Sequence, residues 1–86
     1  MSYNAIIDDD WSDYNLRKRR IGMNIFNFSP DQGWEVNYLI DKILKYYPYQ
    51  NVEAIKNALN TVQYEDEGAY RREVIIKKVL DMLCLN

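Results

Sequence analysis

Residues 29–47, SPDQGWEVNYLIDKILKYY, have the clearest helical pattern in the chain. Ser29 and Gln32 have the spacing of a capping box, and Pro30 suits the first position of a helix. Because Pro48 prevents continuation, the sequence predicts a helix from about 30 to 47. Its apolar residues recur at helical spacing on one face, with charged residues opposite: Val36, Leu39, Ile40, Ile43, Leu44 and Tyr47.

Two more amphipathic segments follow, about 51–63 and 67–85, separated by the acidic stretch YEDEG at 64–68. The apolar residues of the first are Val52, Ile55, Ala58, Leu59 and Val62. Those of the second are Ile75, Ile76, Val79, Leu80, Met82 and Leu83. Three amphipathic helices with short connections bury their apolar faces against one another. The sequence therefore predicts an all-α fold, a compact three-helix bundle formed by a helical domain at 29–86.

The N-terminal segment 1–28 contains the run DDDWSDYNLRKRRIG at 8–22. Its carboxylates precede its cations, as the dipole of a short helix favours, and Gly22 suits the position just after the helix. Asp13 and Arg17 have the i,i+4 spacing of an ion pair. We therefore interpret the basic run as the second half of a helix rather than a nucleic-acid contact, and expect an extended stretch after it to pack on the bundle.

Composition excludes several classes of function. The chain of 86 residues has the length of one domain, and 11 basic against 13 acidic residues leave no basic footprint for nucleic acid. It contains no histidine, which is the commonest general base and metal ligand. The acidic clusters at 8–10 and 65–67 suit helix N-termini without a metal. We expect no catalytic residues, no cofactor and no metal.

The single cysteine, Cys84, ends an apolar helical pattern, so we expect it to be a small buried side chain in a reducing compartment. The first residues, MSYNAIIDDDW, resemble neither a signal peptide nor a membrane span. The sequence thus predicts a cytoplasmic protein without membrane association.

Four side chains fall on the polar sides of predicted helices. Trp34 and Tyr38 lie one turn apart on the first helix, and Tyr70 and Val74 one turn apart on the third. Either the N-terminal segment folds back over them, which is the alternative that we favour, or they form an exposed patch for a partner.

Two functions remain open. The first is a non-enzymatic protein–protein interaction module, such as an inhibitor, adaptor or regulator, with homodimerisation through the same surface as a variant. Its predicted contact residues are Trp34, Tyr38, Tyr70, Val74, Arg17, Arg19 and Arg20. The alternative is a helix-turn-helix nucleic-acid-binding regulator, with 64–68 as its turn and a basic recognition helix. That helix would present Arg71, Arg72, Lys77 and Lys78. The acidic turn disfavours a nucleic-acid partner.

Overall fold

The computed structural model describes residues 2–62 and 71–85. These two ranges contain five α-helices: α1 (Ser2–Ile7), α2 (Ser12–Arg20), α3 (Gly33–Tyr46), α4 (Val52–Thr61) and α5 (Arg72–Met82). No strand occurs in these two ranges, where the one β-type contact is an isolated bridge between Asn27 and Arg71. None of the five helices has the length and apolar character needed to cross a membrane. The predicted all-α class is confirmed.

The main helix contacts form a ring in which α1 packs against both α3 and α5, α3 against α4, and α4 against α5. The predicted three-helix bundle therefore omits one member, because α1 completes the ring. The sequence does not predict α1, since six residues are too few to show a helical repeat. Its Ile6 is fully buried in the core. The stretch predicted to be extended after α2 instead contains turns at 21–22 and 25–26 and an isolated bridge at Asn27, and it buries Phe28.

The predicted apolar faces of the last three helices form the core or pack against it, except at two helix ends. Val52 begins α4 with 44% of its surface exposed, and Met82 ends α5 with 45% exposed. The buried apolar residues come from every helix and from the segments between them: Ile6, Trp11, Tyr14, Phe28, Leu39, Ile40, Ile43, Ile55, Ala58, Leu59, Val62, Ile75, Ile76, Val79 and Leu80.

The start of α3 differs from the predicted capping box. The helix begins at Gly33, and Gln32 occupies the N-cap position without a side-chain cap. Ser29 is engaged elsewhere, because its backbone N–H donates to Glu35 Oε1 at 3.1 Å and its hydroxyl lies 3.5 Å from Lys18 Nζ. Residues 29–32 instead form a turn, closed by a hydrogen bond from the Gln32 N–H to the Ser29 carbonyl.

Gly22 ends α2 as predicted. Its φ is +75°, its N–H donates to the Arg19 carbonyl, and the Met23 N–H donates to the Lys18 carbonyl at 2.8 Å. These two bonds define a Schellman motif, in which glycine is favoured at the left-handed position. At its other end, the helix starts at Ser12 rather than within the acidic run, since Asp10 accepts a hydrogen bond from the Ser12 N–H.

The same motif ends α5 with a cysteine in place of glycine. Cys84 has φ +57°, and the Cys84 and Leu85 N–H groups donate to the carbonyls of Asp81 and Leu80. The prediction that Cys84 is buried is wrong, because it lies in the turn after the last helical residue and its side chain is exposed.

The two caps give a paired prediction. We expect Cys84→Gly to raise the free energy of unfolding by about 1 kcal/mol and Gly22→Ala to lower it by a similar amount, because a side chain is strained at positive φ. No atom lies within 4 Å of a Cβ added at Gly22, so backbone strain rather than a steric clash would destabilise Gly22→Ala. Urea unfolding measures both changes. Equal stability of Cys84→Gly and the parent would contradict the assigned cap.

Candidate interaction surface

A fully buried ion pair connects α2 to α3. Lys18 Nζ lies 2.9 Å from Glu35 Oε1, and both side chains are 0% exposed. Lys18 also donates to the Asn27 carbonyl at 2.5 Å, and the Tyr14 hydroxyl donates to Glu35 Oε1 at 2.5 Å. Glu35 Oε2 makes no hydrogen bond within the described part of the chain. One carboxylate oxygen therefore joins α2, α3 and the segment between them.

Both buried charges occupy positions that their helices turn toward the core. Lys18 follows Tyr14 by one turn, and Glu35 precedes Leu39 by one turn. The sequence places Lys18 in the basic run of a helix but does not single it out as buried. The helical register of Trp11, Tyr14 and Lys18 was the signal that could have located it.

The Tyr14 phenol is a permanent hydrogen-bond donor in this network. Burial, and then the hydrogen bond to Glu35, raise the pKa of Tyr14 far above its usual value. The phenol therefore stays protonated and keeps donating to the carboxylate over the whole physiological range.

Four aromatic rings pack together and form the aromatic cluster: Trp11, Tyr14, Trp34 and Tyr38. Tyr14 lies at its centre, 5.3 Å between ring centroids from each of the other three. The Arg72 guanidinium lies 4.2 Å from the Trp11 ring centroid and donates to Asn15 Oδ1. Cation–π contact and burial thus hold this arginine against the cluster.

The aromatic cluster shows how the N-terminal segment meets two of the predicted contact residues. Trp34 and Tyr38 are half-buried and pack against the core, with Trp11 and Tyr14 over them. This placement agrees with the alternative in which the N-terminal segment folds back. A direct partner contact by either residue stays a prediction. Of the other pair, Val74 is half-buried in α5, and Tyr70 lies outside the described residues.

Arg17 does not form the ion pair predicted with Asp13. Its guanidinium lies over the Trp34 ring, 4.4 Å from the centroid. This stacking extends the aromatic cluster to the surface and gives Arg17 a fixed position. Arg19 and Arg20 are exposed, as expected for the last turn of α2.

The outward side of α2 carries apolar side chains that sequence analysis did not select. Leu16 is 46% exposed and Ile21, just after the helix, is 50% exposed. At helical spacing Leu16 lies opposite the buried Tyr14 and Lys18, with Arg19 and Arg20 one turn further along the same side. We call this surface the α2 face, and its members are Asp13, Leu16, Arg17, Arg19, Arg20 and Ile21.

A second polar contact fixes the turn between α1 and α2 to α3. The Asp9 carboxylate accepts hydrogen bonds at 2.8 Å from both Lys42 and Lys45, and another from the Tyr46 hydroxyl. Lys42 also donates to the Asp10 carbonyl at 2.7 Å. Lys42, Lys45 and Tyr46 hold the pKa of Asp9 well below its usual range. This carboxylate thus has a structural role.

No protein-family model, curated protein or solved structure matches the chain.

Breaking the buried Lys18–Glu35 pair should lower the stability of the protein. We expect Lys18→Met to lower the free energy of unfolding by about 3–5 kcal/mol, because it leaves the Glu35 carboxylate buried without a counter-charge. Adding Glu35→Gln should recover part of this loss, since a neutral amide oxygen still accepts from Tyr14 and Ser29.

Arg19→Met is the matched control for Lys18→Met, since it removes an exposed charge from the same helix turn and should change stability by no more than about 0.5 kcal/mol. Urea unfolding of the four proteins measures these differences. Equal effects of Lys18→Met and Arg19→Met would show that Lys18 is not buried.

The Asp9 contact predicts a pH dependence. A carboxylate with a lowered folded-state pKa stabilises above its unfolded pKa of about 3.9, and this stabilisation is lost as pH falls through the folded pKa. Asp9→Asn should therefore lower the melting temperature at pH 7 and weaken its fall in acid. Thermal melts at a series of pH values test this, with Asp8→Asn as an exposed control. Parallel curves for Asp9→Asn and the parent would exclude the contact.

Proposed function

We propose that this chain is a small non-enzymatic protein-interaction module, acting as an inhibitor, adaptor or regulator, and that the α2 face contacts its partner. The observation that carries the proposal is Leu16, which lies 46% exposed in the middle of a helix side that also presents Arg19 and Arg20. Arginine beside exposed apolar surface is typical of interfaces. The chain also contains no histidine for general acid–base chemistry.

The position of α2 supports this role. A helix of nine residues is too short to be stable alone in water, so its conformation depends on tertiary contacts. The Lys18–Glu35 pair fixes its inner side, and the Schellman motif at Gly22 fixes its end. A surface that is already ordered loses less conformational entropy on binding. The α2 face is therefore suited to tight contact without rearrangement.

Trp34 has a defined place in the proposed contact. Arg17 lies over its ring, so the half-buried indole supports the arginine at the edge of the α2 face. Tyr38 packs against Trp11 and Tyr14 in the aromatic cluster. It thus belongs to the cluster against which α2 packs.

The helix-turn-helix alternative has less support. Its proposed turn, 64–68, falls in a stretch for which no structure is described. Arg72 is half-buried beside Trp11, where burial lowers the pKa of its guanidinium, so it does not point freely toward a phosphate backbone. Lys77 has Glu73 and Asp81 one turn away on either side. Neighbouring carboxylates oppose phosphate binding on that helix.

The test is a comparison of two equally exposed apolar residues. Affinity capture from the host extract should recover a partner with the parent protein and with Val52→Ser, but not with Leu16→Ser. Val52 is 44% exposed on α4, so its replacement removes a similar apolar surface from another side. Both variants should keep the parent circular dichroism spectrum, because surface substitutions change stability little.

If Leu16→Ser leaves the capture unchanged, the partner contact lies outside the α2 face. Loss of capture with both variants, or with Val52→Ser alone, would also contradict the proposal.

A further inference from the structure

Among the described helices, α2 is distinguished by an excess of exposed positive charge. Its exposed side carries three arginines against the single carboxylate of Asp13, a net charge of +2. The exposed cations and carboxylates of α4 and of α5 are equal in number. On α3, the exposed Lys45 is paired with Asp9. The charge of the α2 face is thus a local feature in a chain whose net charge is −2.

The three arginines of this face remain available to a ligand. None of them forms an ion pair with a carboxylate of the described residues, where the salt bridges involve Lys18, Lys42 and Lys45. Arg17 is held by stacking on Trp34, and stacking leaves the in-plane N–H groups of a guanidinium free to donate. Such groups bind carboxylates in a bidentate manner.

We propose that the α2 face binds an acidic amphipathic segment of a partner protein. Carboxylates of the segment pair with Arg17, Arg19 and Arg20, and an apolar side chain of the segment packs on Leu16. This inference rests on the proposed function and adds the chemical class of the partner. Charge complementarity carries it, because the face offers cations that have no carboxylate partner among the described residues, around an apolar centre.

Two other occupants fit the face less well. A nucleic acid would contact the arginines through phosphates, but the apolar Leu16 at the centre of the face offers phosphates no contact. A second copy of the chain would place Leu16 against Leu16 in a symmetric contact. Each copy would then bring a net charge of +2, and the excess arginines would repel one another.

Selection of short random peptides displayed on phage against the full-length protein tests the partner class. Selected sequences should be enriched in Asp and Glu together with a large apolar residue, relative to the unselected library. Arg19→Glu combined with Arg20→Glu should weaken a labelled selected peptide by at least about tenfold. The control, Lys77→Glu with Lys78→Glu, makes the same charge change on α5 and should alter the affinity by less than about twofold.

Other outcomes would overturn the inference in distinguishable ways. Enrichment of neutral or basic peptides, or no enrichment, excludes an acidic segment, and the proposed function still stands if capture from the extract depends on Leu16. A labelled oligonucleotide that binds more tightly than the peptide and is insensitive to Leu16→Ser identifies a nucleic-acid site. Concentration-dependent dimerisation in sedimentation experiments, abolished by Leu16→Ser, identifies a second copy instead.

Discussion

The buried Lys18–Glu35 pair is the constraint on which the N-terminal half of the structure depends. Removing two charges from water costs several kcal/mol for each ion, and this cost is offset only when the geometry supplies close partners. Here the carboxylate oxygen Oε1 has Lys18, Tyr14 and the Ser29 N–H, while Lys18 also has the Asn27 carbonyl. These partners come from three separate segments. The pair can therefore form only when all three are in place.

This requirement also sets the rotation of α2 about its own axis. Lys18 must point toward Glu35, and the opposite side of the helix then carries Leu16 and Arg20 outward. A small rotation of α2 would expose Lys18 and bury an arginine that has no carboxylate to meet. The buried pair thus specifies one rotation of α2. Specifying one arrangement is a better attested role for buried charges than adding to the stability of the protein. Folding and the presentation of the α2 face have the same physical cause.

The parts of the fold that follow from local physics could be predicted from the sequence. The apolar repeat gave the core positions Leu39, Ile43 and Leu80, and the glycine after a basic turn gave the end of α2. Tertiary interactions decided the rest. Ser29 has the right spacing for a cap, but its N–H is used by Glu35. Likewise, α1 has no recognisable helical pattern and owes its helix to packing against α3 and α5.

The four consecutive cations of α2 explain why the candidate surface was only partly predictable. By composition alone these four residues are equivalent cations. In the structure, Arg17 lies over the Trp34 indole and Lys18 is buried against a carboxylate. Arg19 and Arg20 face solvent. Only the helical register separates them. The side chains that hold α2 in place are therefore distinct from those of the proposed contact. Leu16, Arg19 and Arg20 take no part in the buried pair, so exchanging them would change the chemistry of the proposed contact and leave the pair intact.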